Sequence, residues 1–159
     1  MREYALTTGG ATVSGVTTLA FIRAAAAPAV NLEFLRFWVS QSAAATSAQQ
    51  RIQLALNSGT VTATAQTPIK LKEQDGVSVI TGSTTPGAGN CAINATAENA
   101  RTVTLEDAFN VLNGWLMIPT PRETKIQPAG AASGFTMFFP VAPSVAVTGW
   151  AWGLHYGEV

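Results

Sequence analysis

The chain has 159 residues, of which 47% are hydrophobic and only 11% are charged, and nine Lys and Arg balance nine Asp and Glu. Soluble domains ordinarily carry roughly 25% charged residues, so a charge-poor chain without net charge is typical of a protein that works inside an assembly. The basic residues form no run, which argues against a nucleic-acid partner. No stretch approaches the roughly 20 apolar residues that a membrane-spanning helix needs, so we expect no membrane partner.

The N-terminal part of the chain carries two different signals. Residues 1–12 are polar, contain glycine and show no sustained period, so we expect an N-terminal arm or a first irregular strand there. β-Branched and aromatic residues over 13–22 predict a strand, and a single domain is expected to occupy residues 13–159. Arg23 interrupts the apolar stretch 19–30, so we expect no secretory signal peptide.

Residues 32–40 predict the strongest central strand of the chain. Strict alternation gives it one face with Leu35, Phe37 and Val39 and another with Phe34 and Trp38. Residues 42–50, rich in alanine and small polar residues, are expected to form at most one short helical turn. Residues 51–56 alternate cleanly and predict the next strand.

Turn signals divide the second half of the chain, where Asn113-Gly114 predicts a turn. Asp75-Gly76 lies between two alternating runs and predicts a hairpin over residues 69–80. Residues 81–99 and 119–133, rich in Gly, Pro and small polar residues, are expected to be long loops. Many short strands without an amphipathic helix indicate an all-β fold, a single jelly-roll β-sandwich with long loops.

The C-terminal residues 149–156 are apolar on both faces of the predicted strand. Even positions carry Trp150, Trp152, Leu154 and Tyr156, and odd positions carry Gly149, Ala151 and Gly153. A strand of an antiparallel sheet normally shows one apolar and one polar face. We therefore expect one face to pack on the domain core and the other on another subunit.

The residue inventory argues against catalysis. His155 is the only histidine and Cys91 the only cysteine, so neither a known metal-ligand spacing nor an internal disulfide is available. Glu106-Asp107, the only adjacent acidic pair, is interpreted as a solvated turn. We expect no enzymatic activity, no metal and no cofactor. His155 is interpreted as a hydrogen-bonded residue at an interface or rim, with a pH-responsive histidine at a symmetry axis as the alternative.

Taken together, four segments resemble small structural proteins of tailed bacteriophages, in particular jelly-roll cement or decoration proteins of the capsid. These segments are LEFLRFWVSQ (32–41), SAQQRIQLAL (47–56), FNVLNGWLMIPTP (109–121) and GWAWGLHYGEV (149–159). The resemblance implies a homotrimer with a tumour-necrosis-factor-like arrangement. Such a trimer would be made in the host cytoplasm, bind the major capsid protein on the exterior of the phage head and stabilise the shell, without catalytic residues.

Two groups of candidate contact residues follow from their positions. The candidate subunit interface comprises Phe138, Gly149, Ala151, Gly153 and His155. The candidate capsid-contact or exposed-loop residues are Asn90, Asn94, Trp115 and Arg122. The alternative function is a phage tail or fibre domain that binds a cell-surface glycan through exposed aromatic residues, with Trp115 as the foremost candidate.

Overall fold

The computed structural model describes residues 1–24, 29–58, 64–80, 91–93, 101–123, 125–128 and 134–159. Within these ranges the chain forms strands, turns and bends and contains no helix. In chain order the strands are β1 (Arg2–Ala11), β2 (Thr17–Ile22), β3 (Leu32–Gln41), β4 (Gln49–Asn57), β5 (Thr64–Ala65), β6 (Ile69–Lys70), β7 (Cys91–Ile93), β8 (Arg101–Asn110), β9 (Trp115–Met117), β10 (Lys125–Gln127), β11 (Gly134–Phe139) and β12 (Trp150–Glu158).

These strands form two antiparallel sheets that face each other as a β-sandwich, which confirms the expected all-β class. The first sheet has the order β10-β3-β12-β1-β6, with β9 also paired to β3. The second sheet has the order β5-β7-β2-β11-β4-β8. The chain passes from one sheet to the other at each step from β1 to β4 and again from β10 to β12, so sequence neighbours mostly lie in opposite sheets.

Aromatic side chains fill the space between the two sheets. The rings of Phe34 and Phe135 stack at 4.4 Å between centroids, and those of Phe139 and Trp150 meet edge to face at 5.0 Å. Such geometries add to the stabilisation that burial alone provides. The even-numbered residues of the C-terminal strand all belong to this core, as predicted: Trp150, Trp152, Leu154 and Tyr156.

The segment 1–12, expected as an arm, is instead mostly strand β1. It lies between β12 and β6, and its residues Tyr4, Ala5 and Leu6 are buried. The pairing with β12 is interrupted between Thr8 and Ala11, which fits the irregular strand that the sequence left open. Pairing on both sides compensates for the low strand propensity of a glycine-containing segment.

A bulge in β3 makes the strict alternation predicted for this strand wrong. His155 of β12 pairs with Arg36, but the next residue, Tyr156, pairs with Phe34, so Leu35 has no partner on β12. One extra residue reverses the side-chain parity on one side of a bulge. Phe34 therefore joins Phe37 in the core instead of sharing a face with Trp38.

Several predicted element boundaries also need correction. The predicted hairpin over 69–80 is absent, because β6 is not followed by a partner strand and Asp75 lies in a turn closed by its N–H to the Lys72 carbonyl. Residues 42–48 contain no helical turn. The two expected long loops each contain a strand, β7 and β10 respectively.

Candidate functional site

The side of the first sheet turned away from the second sheet is called the outer face. Directly paired residues of antiparallel strands project to the same face, so the strand registers define three rows across it. These rows are Glu3–Gly157–Glu33–Ile126, Ile69–Ala5–His155–Arg36 and Thr7–Gly153–Trp38–Leu116. The outer face therefore brings together residues that are far apart in the sequence.

Trp38 is the central side chain of the outer face. A Cβ added at Gly153 would lie 2.2 Å from an indole carbon of Trp38, so the ring covers the glycine directly. The His155 ring meets the indole edge-on at 5.0 Å, and the Arg36 guanidinium carbon lies 5.4 Å from the indole centroid. Because Gly153 has no side chain, the Trp38 ring packs directly on its backbone, and Arg36 and His155 both contact this ring.

A shallow groove of about 300 Å³ opens beside Trp38. Its lining comprises one cation, two neutral polar residues, one glycine and four apolar residues, namely Arg36, Ser40, Asn113, Gly114, Trp38, Val39, Trp115 and Leu116. The predicted Asn113-Gly114 turn is present, and Gly114 adopts a φ of +70° that favours glycine. This turn positions one wall of the groove.

Large aliphatic side chains on the outer face are exposed to solvent. Leu116, Ile126 and Ile69 have exposed fractions of 54%, 66% and 59%. They come from three different strands that span the sheet from one edge to the other. Apolar residues gathered with a half-buried tryptophan mark a surface suited to a partner.

The environment of His155 favours its neutral form. Burial lowers the pKa of His155 below its ordinary value of 6.5, and the positive charge of Arg36 lowers the pKa further, whereas Glu3 opposes these effects. The His155 imidazole has no hydrogen bond to another described residue, so the edge contact with Trp38 is the main interaction of the ring among the described residues.

A buried carboxylate fixes residues 69–80, the edge segment, at the far edge of the same sheet. The side chain of Glu158 accepts hydrogen bonds from Ser78 Oγ at 2.5 Å and from the Val79 N–H at 2.9 Å. Arg2 Nη2 lies 2.9 Å from the other carboxylate oxygen, as an ion pair outside hydrogen-bond geometry. A buried charge is tolerated when it is paired and hydrogen-bonded in this way.

Two further contacts hold the turn of the edge segment. The Tyr4 hydroxyl donates to the Gly76 carbonyl at 3.0 Å, and the Glu3 N–H donates to Asp75 Oδ2 at 2.9 Å. Burial and the nearby Glu158 carboxylate raise the pKa of Tyr4, which keeps its hydroxyl a donor. Val77, in the middle of this fixed segment, is 83% exposed.

The predicted interface residues fall in three places. Ala151, Gly153 and His155 lie on the outer face as predicted. Gly149 precedes β12 in a bend with a φ of +81°, where an added Cβ would come within 2.9 Å of Ala43 and Ser42. Phe138 belongs to the second sheet and is only 1% exposed, with the Arg101 guanidinium carbon 3.4 Å from its ring centroid, so it is not accessible to a partner in the single chain.

The predicted exposed-loop residues also differ in outcome. Trp115 was predicted to be exposed, but it is only 9% exposed, because its pairing with Val39 turns it towards the core. Its indole N–H donates to Asp107 Oδ2 at 3.0 Å. Glu106-Asp107 is exposed, as expected, but it lies in strand β8 rather than in a turn. Arg122 is exposed in a turn. Asn90 and Asn94 lie outside the described residues.

Sequence reasoning missed the groove and the Glu158 cluster. Arg36 stood out between two aromatic residues, but only the strand register reveals that Trp38 and Leu116 are neighbours. Glu158 and Ser78 are separated by 80 residues, and nothing in their local sequence indicates the contact.

The described residues contain no group of three or more His, Cys, Asp and Glu side chains able to hold a metal ion. In the same ranges no helix has the length and hydrophobicity to span a bilayer. No family model matches this sequence, and neither comparison with curated proteins nor comparison with solved structures gives a significant match.

Proposed function

We propose that this chain is a structural virion protein, a non-enzymatic capsid cement or decoration protein that binds the major capsid protein lattice as a homotrimer. The observation that carries the proposal is the outer face, where exposed Leu116 and Ile126 at one edge and exposed Ile69 at the opposite edge share one sheet face with the half-buried Trp38. A free monomer rarely exposes so many large apolar side chains on one sheet face. In a trimer, neighbouring copies cover this surface.

The size of the outer face is consistent with a subunit interface. Strands β1, β3 and β12 are 10, 10 and 9 residues long. With β9 or β10 alongside β3, four strands at about 4.8 Å spacing and about 3.3 Å per residue give roughly 20 by 30 Å, or about 600 Å². Specific interfaces bury about 800 Å² on each partner, so this face supplies most of one.

The strand connections support the proposed jelly-roll topology. The order β1-β12-β3 in one sheet and β2-β11-β4-β8 in the other results from repeated passage between sheets. A jelly roll is expected to have this connectivity, because its successive strands alternate between the two sheets. The same winding brings the N-terminal and C-terminal strands together at the centre of the first sheet.

Co-expression with the major capsid protein of the genome that encodes this chain tests the proposal. The expected result is that assembled heads carry the chain in a fixed ratio to the major capsid protein and survive heating better than heads without it. Arg122→Glu reverses a charge at an exposed turn that is a candidate capsid contact, and it is expected to reduce retention on the heads without altering the sandwich. Heads that assemble without retaining the chain would contradict the cement function.

A glycan-binding tail or fibre domain is the second candidate, and one observation favours it. The groove combines the indole of Trp38 with the polar side chains of Arg36, Ser40 and Asn113, a combination that suits stacking and hydrogen bonding of a sugar ring. A glycan array with wild type and Trp38→Ala tests it. Specific binding that the variant loses supports this candidate. Trp115 also lines the groove but is only 9% exposed and belongs to the core, so Trp115→Ala would combine loss of binding with loss of stability.

A further inference from the structure

We propose that the outer face makes a head-to-tail contact between copies of this chain, in which the edge segment of one copy enters the Trp38 groove of the next. The contact rests on the proposed homotrimer and specifies how its subunits meet. The two surfaces lie at opposite edges of one sheet, since β6 occupies one edge and β9 pairs at the other edge of β3. Complementary surfaces at opposite edges generate a ring when the rotation between copies closes.

The edge segment has the properties of an inserting element. Its aliphatic side chains Ile69, Leu71 and Val77 are all exposed. Its backbone is nevertheless fixed, because Ser78 and Val79 bind the buried Glu158 carboxylate. A segment already held in one conformation loses little conformational entropy on binding. The hydrogen bonds to Glu158 therefore hold the backbone that carries these apolar side chains in one conformation before a partner binds.

The groove has the properties of a receiving site. It has an apolar base and wall from Trp38 and Leu116, and its volume of about 300 Å³ accommodates aliphatic side chains. Trp38 is fixed on Gly153, so the groove is formed before a partner arrives. Neither surface is occupied by another described part of the same chain.

The edge segment carries Lys70, Lys72, Glu73 and Asp75, and Lys72 and Asp75 already contact Glu3, so Glu73 is its anion available to the cation of the groove. Arg36 lines the groove, and it has no ion-pair partner among the described residues, where its contact is with the Trp38 ring. Glu73 lies exposed in the edge segment, where Lys70 Nζ donates to its backbone carbonyl at 2.8 Å and its carboxylate forms no ion pair with a described residue. A head-to-tail contact brings this cation and this anion together. A two-fold contact between two grooves would instead bring two Arg36 side chains together, which is unfavourable.

Charge reversal tests the contact by sedimentation equilibrium of the full chain. Arg36→Glu and Glu73→Arg are each expected to raise the dissociation constant at least tenfold, and the double variant is expected to return it to within about threefold of wild type. Arg122→Glu, with the same change in net charge as Arg36→Glu, is the control for that variant and is expected to leave association unchanged. Both reversed positions are exposed, so folding is checked simply by comparing circular dichroism spectra.

The outcomes separate this contact from the proposed function. If wild type forms a trimer and the double variant associates no better than the weaker single variant, the contact is wrong while the trimer stands. If wild type is a monomer, both are wrong. A groove that binds an oligosaccharide in wild type but not in Trp38→Ala, without self-association, also overturns the contact.

Cross-linking tests the direction of the contact in a Cys91→Ser background. Val77→Cys and Leu116→Cys chains, mixed and treated with a short bis-maleimide, are expected to form a covalent dimer of one chain of each kind. Each variant alone is expected to remain monomeric on a denaturing gel. Homodimers of Leu116→Cys alone would show a two-fold contact and overturn the head-to-tail arrangement.

Discussion

Replacing Gly153 by alanine provides a direct test of how the outer face is built. The added Cβ would lie 2.2 Å and 2.4 Å from two indole carbons of Trp38, and 2.5 Å from the Leu6 carbonyl oxygen. Real Cβ atoms essentially never approach a heavy atom within 3.0 Å. The tryptophan can rotate away, but the Leu6 carbonyl belongs to the backbone of neighbouring strand β1 and is held by the pairing with β12.

The expected cost of Gly153→Ala is that of overpacking a well-packed site. Inserting one methyl group into such a site typically costs about 1–3 kcal/mol. For a chain of this length, about 2 kcal/mol lowers Tm by roughly 4–8 °C and, at a urea m-value of about 2 kcal/mol per M, lowers the unfolding midpoint by about 1 M. Displacement of the Trp38 ring is expected to disrupt the groove as well.

Urea denaturation followed by circular dichroism measures this cost, with Gly9→Ala as the matched control. Gly9 lies in β1 on the same sheet, and a Cβ added there meets only the Ala151 methyl at 4.0 Å. The control is therefore expected to be neutral or slightly stabilising, because alanine restricts the unfolded chain more than glycine does. Equal midpoints for Gly153→Ala and wild type would refute the proposed seating of Trp38 on Gly153.

Substitutions at three further positions test other parts of the structure. Trp115→Phe is expected to cost about 1 kcal/mol through loss of the hydrogen bond to Asp107, and Trp115→Ala about 3–5 kcal/mol, by urea denaturation; costs below about 0.5 kcal/mol, typical of an exposed residue, would contradict its burial. Glu158→Gln is expected to lower the free energy of unfolding by about 2–3 kcal/mol, because it weakens the hydrogen bond from Ser78 and removes the ion pair with Arg2. It is also expected to increase proteolysis of the edge segment. Unchanged protection of that segment would argue against the anchoring role of Glu158. His155 has a pKa below 6.5 in the folded chain, so the unfolded chain binds more protons and stability is expected to fall as the pH decreases below about 6.5. His155→Gln is expected to reduce this fall in thermal melts measured at several pH values. An identical pH profile for the variant and wild type would contradict the lowered pKa of His155.

The strand pattern was predictable wherever alternation was uninterrupted. Residues 150–156 alternate without a bulge in β12 itself, so the core residues and the outer residues Ala151 and Gly153 follow from the sequence. In β3 the bulge at Leu35 reversed the predicted position of Phe34. A bulge depends on the register with the neighbouring strand, which local sequence does not encode.

Other features depended on contacts between distant segments. Asp75-Gly76 predicted a hairpin turn, but the turn spans Lys72–Asp75, and Glu3, Tyr4 and Glu158 hold the segment around it as a fixed edge rather than a hairpin. Trp115 follows a correctly predicted turn, yet its burial depends on pairing with β3. The apolar character of the outer face was predictable from composition and parity, whereas the groove required the register between β3 and β9.

Sedimentation velocity of the wild-type chain at micromolar concentration, compared with Leu116→Lys, tests the central claim most directly. A charge placed in the middle of an apolar contact should prevent association without disturbing the fold, because Leu116 is exposed in the single chain. The account predicts a wild-type particle of three times the 16.5 kDa chain mass and a monomeric variant. A wild-type chain that sediments as a stable monomer, with Trp38 and Leu116 in contact with water, would contradict it.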